Sequence, residues 1–380
     1  MLLSMLFQKI KNFCLLLCLN FLSTTYLFMA TKKKTKKKSS IFLKSIKIGI
    51  FIAIAAFMYL VYILFSPNFF PSSDKKAYLY IADSSSFEDV VLNLQQNVKV
   101  VNSSAFRQVA GLLHYGSKIR PGRYELKTGM NNFLLVRNLR SGRQTPVQLS
   151  FNNIRTKEQL AGRLGSQLMA DSLSISNLLN DTAFLRTYNL NPSTSVTLFI
   201  PNTYEVFWNT NAAELFERMN KEYNKFWTEE RKAKAALIPL SLTEVSTLAS
   251  IVEEESNNKA ERPMIAGLYI NRLKMDMPLQ ADPTLKFAMG DFGLKRILLQ
   301  HILKISPYNT YRNHGLPPGP IRVVSPAAID AVLNYSKHNY VFMCAKETLN
   351  GEHNFAVSYS EHQANAKKYQ KALNELKIFK

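Results

Sequence analysis

The chain has only three cysteines in 380 residues, and two of them, Cys14 and Cys18, lie in an apolar stretch near the start. Cys344 is left alone in the remainder, which excludes an internal disulfide or a cysteine-rich metal centre there. Within Tyr-Val-Phe-Met-Cys-Ala it is most simply a small buried strand residue. The histidines offer no ligand set either. His114, His301, His314, His338, His353 and His362 are scattered, with no HExxH and no pair four apart. No metal and no cofactor is therefore expected. A G-x-S-x-G elbow, a phosphate-binding glycine loop and an RNP-type aromatic motif are all missing. Asp and Glu are absent from residues 1–73, which carry ten lysines, so much of the formal charge of +21 sits at one end. The other 307 residues carry +11. Such a surface suits an anionic envelope polymer as well as a nucleic acid, but without those motifs nucleic acid is not the expected partner.

Two apolar runs precede the polar remainder. The second, Ile48 to Phe65, has 18 residues without a charge and ends at Ser66-Pro67. It is long enough to span a bilayer and too long for a typical signal-peptide core. The lysine cluster before it marks the cytoplasmic side, so everything after Pro67 is expected outside the inner membrane. The first run, Asn12 to Ala30, could also span, but Lys9 and Lys11 would then lie on the outer side. A cleaved signal has a poor small-residue site here. The preferred reading makes Met29-Ala-Thr-Lys-Lys-Lys the natural start and residues 1–28 an over-extended one.

After a polar linker over Asn68–Lys76, Ala77–Ile81 alternates as a strand, and Ser85-Ser-Phe-Glu88 offers a capping box for a short helix. Ser103–Tyr115 and Asn131–Leu139 are helical patterns, the latter closed by Ser141-Gly142. Arg120–Leu126 is a turn and strand, and Gln144–Phe151 alternates again. Together they describe a small α+β module built on an antiparallel pair. Thr156–Leu190 is helical with breaks at Asp171 and Asp181, and Asn211 with Glu214 caps the next helix. Asn258 with Glu261 is expected to start another. Residues 276–323 hold six of the fifteen prolines and little periodicity, which marks a long functional loop. Ser325-Pro326 caps a helix to about Tyr335. Tyr340–Ala345 and Phe355–Tyr359 are expected as paired strands, with a closing helix over Glu361–Lys377.

The chemistry falls on Ser241–Ser256. Ser241 and Glu244 form a capping box, and neither Gly nor Pro interrupts the segment as far as Ser256. On a helix, Leu248, Ile251 and Val252 lie seven, four and three residues before Glu255, on one apolar stripe. Glu253 points nearly the opposite way and Glu254 to the side, so of three adjacent carboxylates only Glu255 is in line with the buried face. Burial disfavours the charged form and raises the pKa, which is what a general acid near neutral pH requires. The plain alternative is a frayed acidic helix end in water. Two further clusters are Leu279-Gln-Ala-Asp-Pro-Thr284 and Ser306–Pro320. Gln280, Asp282, Tyr308, Asn309, Tyr311, Arg312 and Asn313 offer amides, hydroxyls and rings on proline-flanked backbone, a mixture suited to a carbohydrate. The competing reading is that these residues only build and pack tight turns. Ser256, beside Glu255, is a hydrogen-bond partner rather than a nucleophile.

Leu-Ala-Ser-Ile-Val-Glu-Glu-Glu-Ser, Ile-Ala-Gly-Leu-Tyr-Ile-Asn-Arg-Leu, Met-Pro-Leu-Gln-Ala-Asp-Pro-Thr, Ser-Pro-Tyr-Asn-Thr-Tyr-Arg, Gly-Leu-Pro-Pro-Gly-Pro-Ile and His-Asn-Phe occur in that order. In order and spacing they resemble the MltG (YceG-like) family of endolytic murein transglycosylases, over about residues 48–375. The resemblance implies a basic cytoplasmic tail over 1–47, a transmembrane helix over 48–66, a LysM-like module over 74–150 and a catalytic α+β domain over 151–380. The catalytic domain would carry its glutamate on a lysozyme-like helix. It implies that Glu255, second Glu of a Glu-x-Glu-Thr pattern with Ser256 for Thr, is the catalytic residue. Phe199-Ile-Pro-Asn-Thr-Tyr resembles the family's aromatic-Pro-Asp-Thr-Tyr element, with Asn202 where Asp is usual.

The expected function is that of a single-pass inner-membrane lytic transglycosylase whose catalytic part lies on the periplasmic side. It would cut nascent peptidoglycan glycan strands at the MurNAc–GlcNAc bond and leave 1,6-anhydro ends, with peptidoglycan synthases as neighbours. Gln280, Asp282, Tyr308, Asn309 and Tyr311 would hold the sugar. The rival readings are a two-carboxylate muramidase using Asp282 and a non-catalytic wall-binding scaffold.

Overall fold

A computed structural model of the protein describes residues 38–71, 76–294 and 297–375; residues 1–28, with the proposed over-extended start, lie outside the described residues. Its architecture is mixed α+β. Helix α1 runs over Lys38–Phe65 and contains the one stretch among the described residues long and apolar enough to cross a membrane, Leu43–Phe65. Most of its surface is exposed, including Phe51 and Met58, but Ile63 is buried in the core formed by residues 69–139. The Asn132 amide donates to the Ile63 carbonyl at 2.8 Å, which satisfies an orphan acceptor at the helix end and ties α1 to its neighbour.

The polar linker expected over Asn68–Lys76 is instead, over Pro67–Pro71, strand β1. It pairs antiparallel with β3 (Val98–Val100) and β5 (Met130–Asn131). The prolines occupy the ends, where a lost N–H is tolerated, and Phe69 is fully buried. Asn68 is buried too; its amide donates to Asn132 Oδ1 at 2.6 Å and its oxygen accepts from the Asn102 N–H at 2.6 Å. Strand β2 (Ala77–Ile81) pairs antiparallel with β4 (Gly122–Leu126), with Leu79 facing Tyr124. Helices α2 (Phe87–Asn97), α3 (Ser103–Leu112) and α4 (Asn132–Ser141) pack on these strands in one core. The capping box of α2 is Ser86 with Asp89, one residue later than Ser85 with Glu88. Ser85 accepts from the Ala82 N–H and Glu88 pairs with Arg107, so both are engaged elsewhere.

Strand β6 (Val147–Ser150) turns away from this core. It pairs with β7 (Thr203–Val206), and its Leu149 belongs to a second core with Phe151, Phe199 and Phe216. Helices α5 (Lys157–Gly165), α6 (Ser172–Asn180) and α7 (Thr182–Arg186) surround it, with Asp171 and Asp181 as the N-caps of α6 and α7. Helix α8 (Ala212–Phe226) starts at the Asn211–Glu214 capping box, and α9 (Glu229–Ala236) comes next.

The third core is built on α10 (Leu242–Glu255), with the Ser241–Glu244 capping box in place and all eight residues from Val245 to Val252 buried. Its interior hydroxyls are satisfied by the helix itself: Ser246, Thr247 and Ser250 donate to the carbonyls of Leu242, Thr243 and Thr247 at 2.7–2.9 Å. Helix α11 (Arg262–Lys274) packs beside it, but Asn258 and Glu261 do not form the expected cap. Asn258 accepts from the Ala260 N–H, and Glu261 is drawn to His353, accepting from its backbone N–H at 2.8 Å. The proline-rich stretch is not structureless: it contains α12 (Asp282–Met289) and the single turn α13 (Leu299–Ile302). Helix α14 (Pro326–Leu333) is capped by Ser325. Strands β8 (Phe342–Ala345) and β9 (His353–Ala356) pair, two residues earlier at β9 than expected, and α15 (Tyr359–Glu375) closes the described chain.

The chain after α14 lies directly on α11. A Cβ at Gly267 would stand 2.2 Å from the Ser336 carbonyl oxygen and 2.7 Å from His338 Nε2. We expect Gly267→Ala to lower stability by about 1–3 kcal/mol, the usual cost of overpacking, measured by denaturant unfolding. An unchanged midpoint would mean that this contact yields.

Candidate active site

Helix α10 ends in three carboxylates, all largely withdrawn from solvent, and their partners separate their fates. The helix reaches its last turn encased in the apolar core that holds Leu248, Ile251 and Val252, and Glu255 continues that face. Tyr269, itself 1% exposed and one of the core residues of α11, donates its hydroxyl to Glu255 Oε1 at 2.6 Å. Burial raises the Glu255 pKa from 4.5 to about 7; the Tyr269 hydrogen bond opposes this, the charge of Asp282 adds to it, and Lys286 and Arg272 oppose it. A carboxyl tuned in this way exchanges its proton near neutral pH. The Tyr269 hydroxyl is pushed well above its ordinary range, by burial first and then by the adjacent carboxyl, so it remains a donor.

Glu253 and Glu254 do not point into water, as the helical wheel suggested; their side chains are 9% and 14% exposed. Glu254 accepts from Arg155 Nη2 at 3.0 Å and from Arg322 Nη1 at 2.6 Å. Glu253 lies 3.6 Å from Arg262 Nη1 and 3.5 Å from Arg322 Nε, and accepts from the Ser325 N–H at 3.0 Å. These two carboxylates are matched by guanidinium groups, whereas Glu255 is held by a neutral phenol. That difference in partners, more than helical phase, singles out Glu255.

The loop residues divide. Asp282, the first residue of α12, accepts a hydrogen bond from the Tyr311 hydroxyl and interacts electrostatically with Glu255, so these two fall in the site. The Tyr311 hydroxyl is raised out of its ordinary range by burial and by Asp282. Gln280 is exposed, with a positive φ of 51°; its N–H donates to the Thr310 carbonyl and its side-chain oxygen accepts from Arg272 at 3.4 Å. Tyr308 packs against Phe287 at the edge of the third core, with ring centroids 4.7 Å apart and the planes tilted by 48°. Asn309 is fully buried. Its amide donates to the Ile302 and Lys304 carbonyls at 2.8 and 2.7 Å, and its oxygen accepts from the Tyr311 N–H, so it shapes the loop and has nothing left for a sugar. Ser256 is also redirected: its hydroxyl faces Glu261 at 3.4 Å and accepts from the Asn258 N–H, leaving Tyr269 as the partner of Glu255. Asn202 is exposed before β7, where its side chain accepts from the next N–H.

The sequence pattern did not single out Tyr269 and Arg272, although both stand in the Ile-Ala-Gly-Leu-Tyr-Ile-Asn-Arg-Leu stretch. The available signal was a phenol and a guanidinium three apart in an apolar helix. Arg272 is 7% exposed and donates to the carbonyls of Val341, Pro278 and Leu279 at 2.6, 3.1 and 2.8 Å, which pins the turn before Gln280. No three His, Cys, Asp or Glu side chains among the described residues gather to hold a metal ion.

Comparison with known proteins gives a consistent set of likenesses. A family model described as the YceG-like family matches residues 79–368. A Bacillus subtilis (strain 168) protein named endolytic murein transglycosylase is 29% identical over 311 residues, covering 78% of this chain and 85% of that one. A protein of the same name from Streptococcus pneumoniae (serotype 2, strain D39) is 26% identical over 330 residues; the match spans 77% of this chain and 58% of the relative's length. The crystal structure of a YceG-like protein from Listeria monocytogenes matches with a TM-score of 0.51 at 26% identity, over 77% of this chain and 99% of that one.

The raised pKa has a consequence for stability. Glu255 binds its proton more tightly folded than unfolded, so stability is fully present below about 4.5 and falls as pH rises toward about 7, where the loss levels off. A shift of this size corresponds to a loss on the order of 3 kcal/mol. Glu255→Gln removes that dependence. In denaturant unfolding, the variant should gain on the parent between pH 4 and pH 8; a constant difference across that range would show that Glu255 is not perturbed.

Proposed function

The chain belongs to the YceG-like family, and on that premise we propose that it is an endolytic murein transglycosylase, a lyase in which Glu255 is the single acid and base. The observation that carries this reading is the half-buried Glu255 side chain, its carboxyl lifted to about 7 and held by Tyr269. Protonated Glu255 donates to the glycosidic oxygen between MurNAc and GlcNAc as the C1–O bond breaks. The resulting carboxylate takes the proton of the MurNAc C6 hydroxyl, whose oxygen closes on C1 as a 1,6-anhydro ring. Glu255 ends protonated as it began, and no water is consumed. Asp282 favours the acid form needed first; Tyr269, Lys286 and Arg272 favour the carboxylate needed second. Because Tyr269 occupies Oε1, Oε2 is the oxygen assigned to the substrate proton. Asp282, Tyr311, Gln280 and Tyr308 are assigned to the sugar, with Asn309 shaping their loop.

In the same proposal α1 is a single-pass anchor in the inner membrane, with the lysine-rich tail inside and the catalytic part outside. The module from β1 through α4 is assigned as LysM-like and glycan-binding, and the chain from β6 onward as the catalytic domain; the boundary falls before the expected 150 because β6 pairs with β7 and Leu149 sits in the second core. The docking of Ile63 in the module core supports a short, stiff connection to the bilayer. That connection suits action on nascent strands beside peptidoglycan synthases.

Asp282 gives a two-carboxylate muramidase its one supporting observation, since it lies within electrostatic reach of Glu255. Mass analysis of glycan digested in heavy-oxygen water separates the two. We expect unlabelled 1,6-anhydro ends from the parent protein and roughly 10³-fold slower cleavage by Glu255→Gln. Labelled, hydrolysed ends would establish the muramidase instead, and undiminished cleavage by Glu255→Gln would remove Glu255 from the mechanism.

A further inference from the structure

Beside the end of α10 lies a cavity of about 60 Å³, lined by Arg155, Glu254, Pro283, Lys286, Phe292 and Ile321. It is adjacent to the site already described, because Glu254 precedes Glu255 and Pro283 follows Asp282. Its walls carry an excess of positive charge. The carboxylate of Glu254 is fully engaged by Arg155 and Arg322, and Glu253 behind it by Arg262 and Arg322. The Arg155 guanidinium also lies over the Phe292 ring, 5.2 Å from its centroid, which fixes it at the cavity wall. Lys286 has neither a hydrogen bond nor an ion pair among the described residues, although its charge reaches Glu255. A half-buried ammonium that faces a polar cavity and is matched by no carboxylate of its own favours an anionic group there.

We infer that this cavity is a carboxylate subsite for the substituent on the muramic acid, with Lys286 and Arg155 as the cationic walls. This rests on the function proposed above. The volume admits a group the size of a carboxylate but not a sugar ring. In such a polymer the sugars are neutral and the substituent is the acidic part, so the cavity reads the side group while the loops hold the sugar. The carboxylate has two sources: the stem peptide, or the lactyl group itself where no peptide is attached. In either case its charge would be bound beside the scissile bond and would help hold Lys286 away from Glu255.

The test compares kcat/KM of the full chain on three strands: glycan with acidic stem peptides, the same glycan with the peptide carboxylates amidated, and glycan stripped to its lactyl carboxylates. The amidated strand, the only one without a carboxylate, should be cut roughly tenfold more slowly than the better of the other two. Which of those is better identifies the source. Lys286→Met should bring all three within about twofold, whereas Lys286→Arg should keep the discrimination. Equal cleavage of the three strands by the parent protein, or discrimination that survives in Lys286→Met, overturns the subsite. Failure of the parent protein to cut any strand would overturn the proposed function itself.

Discussion

A carboxyl group kept largely out of water at the tip of a buried helix is the constraint on which the rest of the site depends. Helix α10 is enclosed by apolar neighbours as far as Val252, and its last turn must then present three acidic side chains at one place. Two are neutralised by arginines brought from distant parts of the chain, Arg155 and Arg322, together with Arg262 nearby. Those pairs leave the helix end little freedom to fray. Among the described residues the third accepts a hydrogen bond from a phenol and meets no cation at hydrogen-bond distance, which is what lets burial raise its pKa. Were Glu255 paired as its neighbours are, it would be a fixed anion with no proton to give.

The surrounding architecture follows from that requirement. Helix α11 supplies Tyr269 to the carboxyl and, one turn on, Arg272 to the carbonyls that shape the 278–280 turn. Helix α12 begins at that turn with Asp282, whose charge and Tyr311 partner complete the polar wall. Asn309 holds the Ser306–Pro320 loop by three backbone contacts, so that Tyr311 is presented from rigid chain. The site is thus made by two helices and a proline-rich segment converging on one side chain.

Local grammar was legible in the sequence wherever a structure depends on residues close together. The capping boxes at Asn211 and Ser241, the breaks at Asp171 and Asp181, and the apolar stripe leading to Glu255 are all short-range patterns. The features that escaped depend on partners far apart. Glu254 looked solvated because Arg155 lies 99 residues before it and Arg322 68 after it. Pro67–Pro71 looked like a linker because its strand partners come about 30 and 60 residues later. Asn309 looked like a sugar ligand because an amide in a loop carries no sign of which carbonyls it will meet. The Asn258–Glu261 pattern failed for the same reason, with His353 competing for the glutamate.

The proposed mechanism turns on the protonation state of one residue, and infrared titration of its carboxyl band, assigned by difference from Glu255→Gln, measures that state directly. A midpoint near 7 is the predicted result. A midpoint at the ordinary value of 4.5 would contradict the claim that burial has made Glu255 an acid for neutral pH.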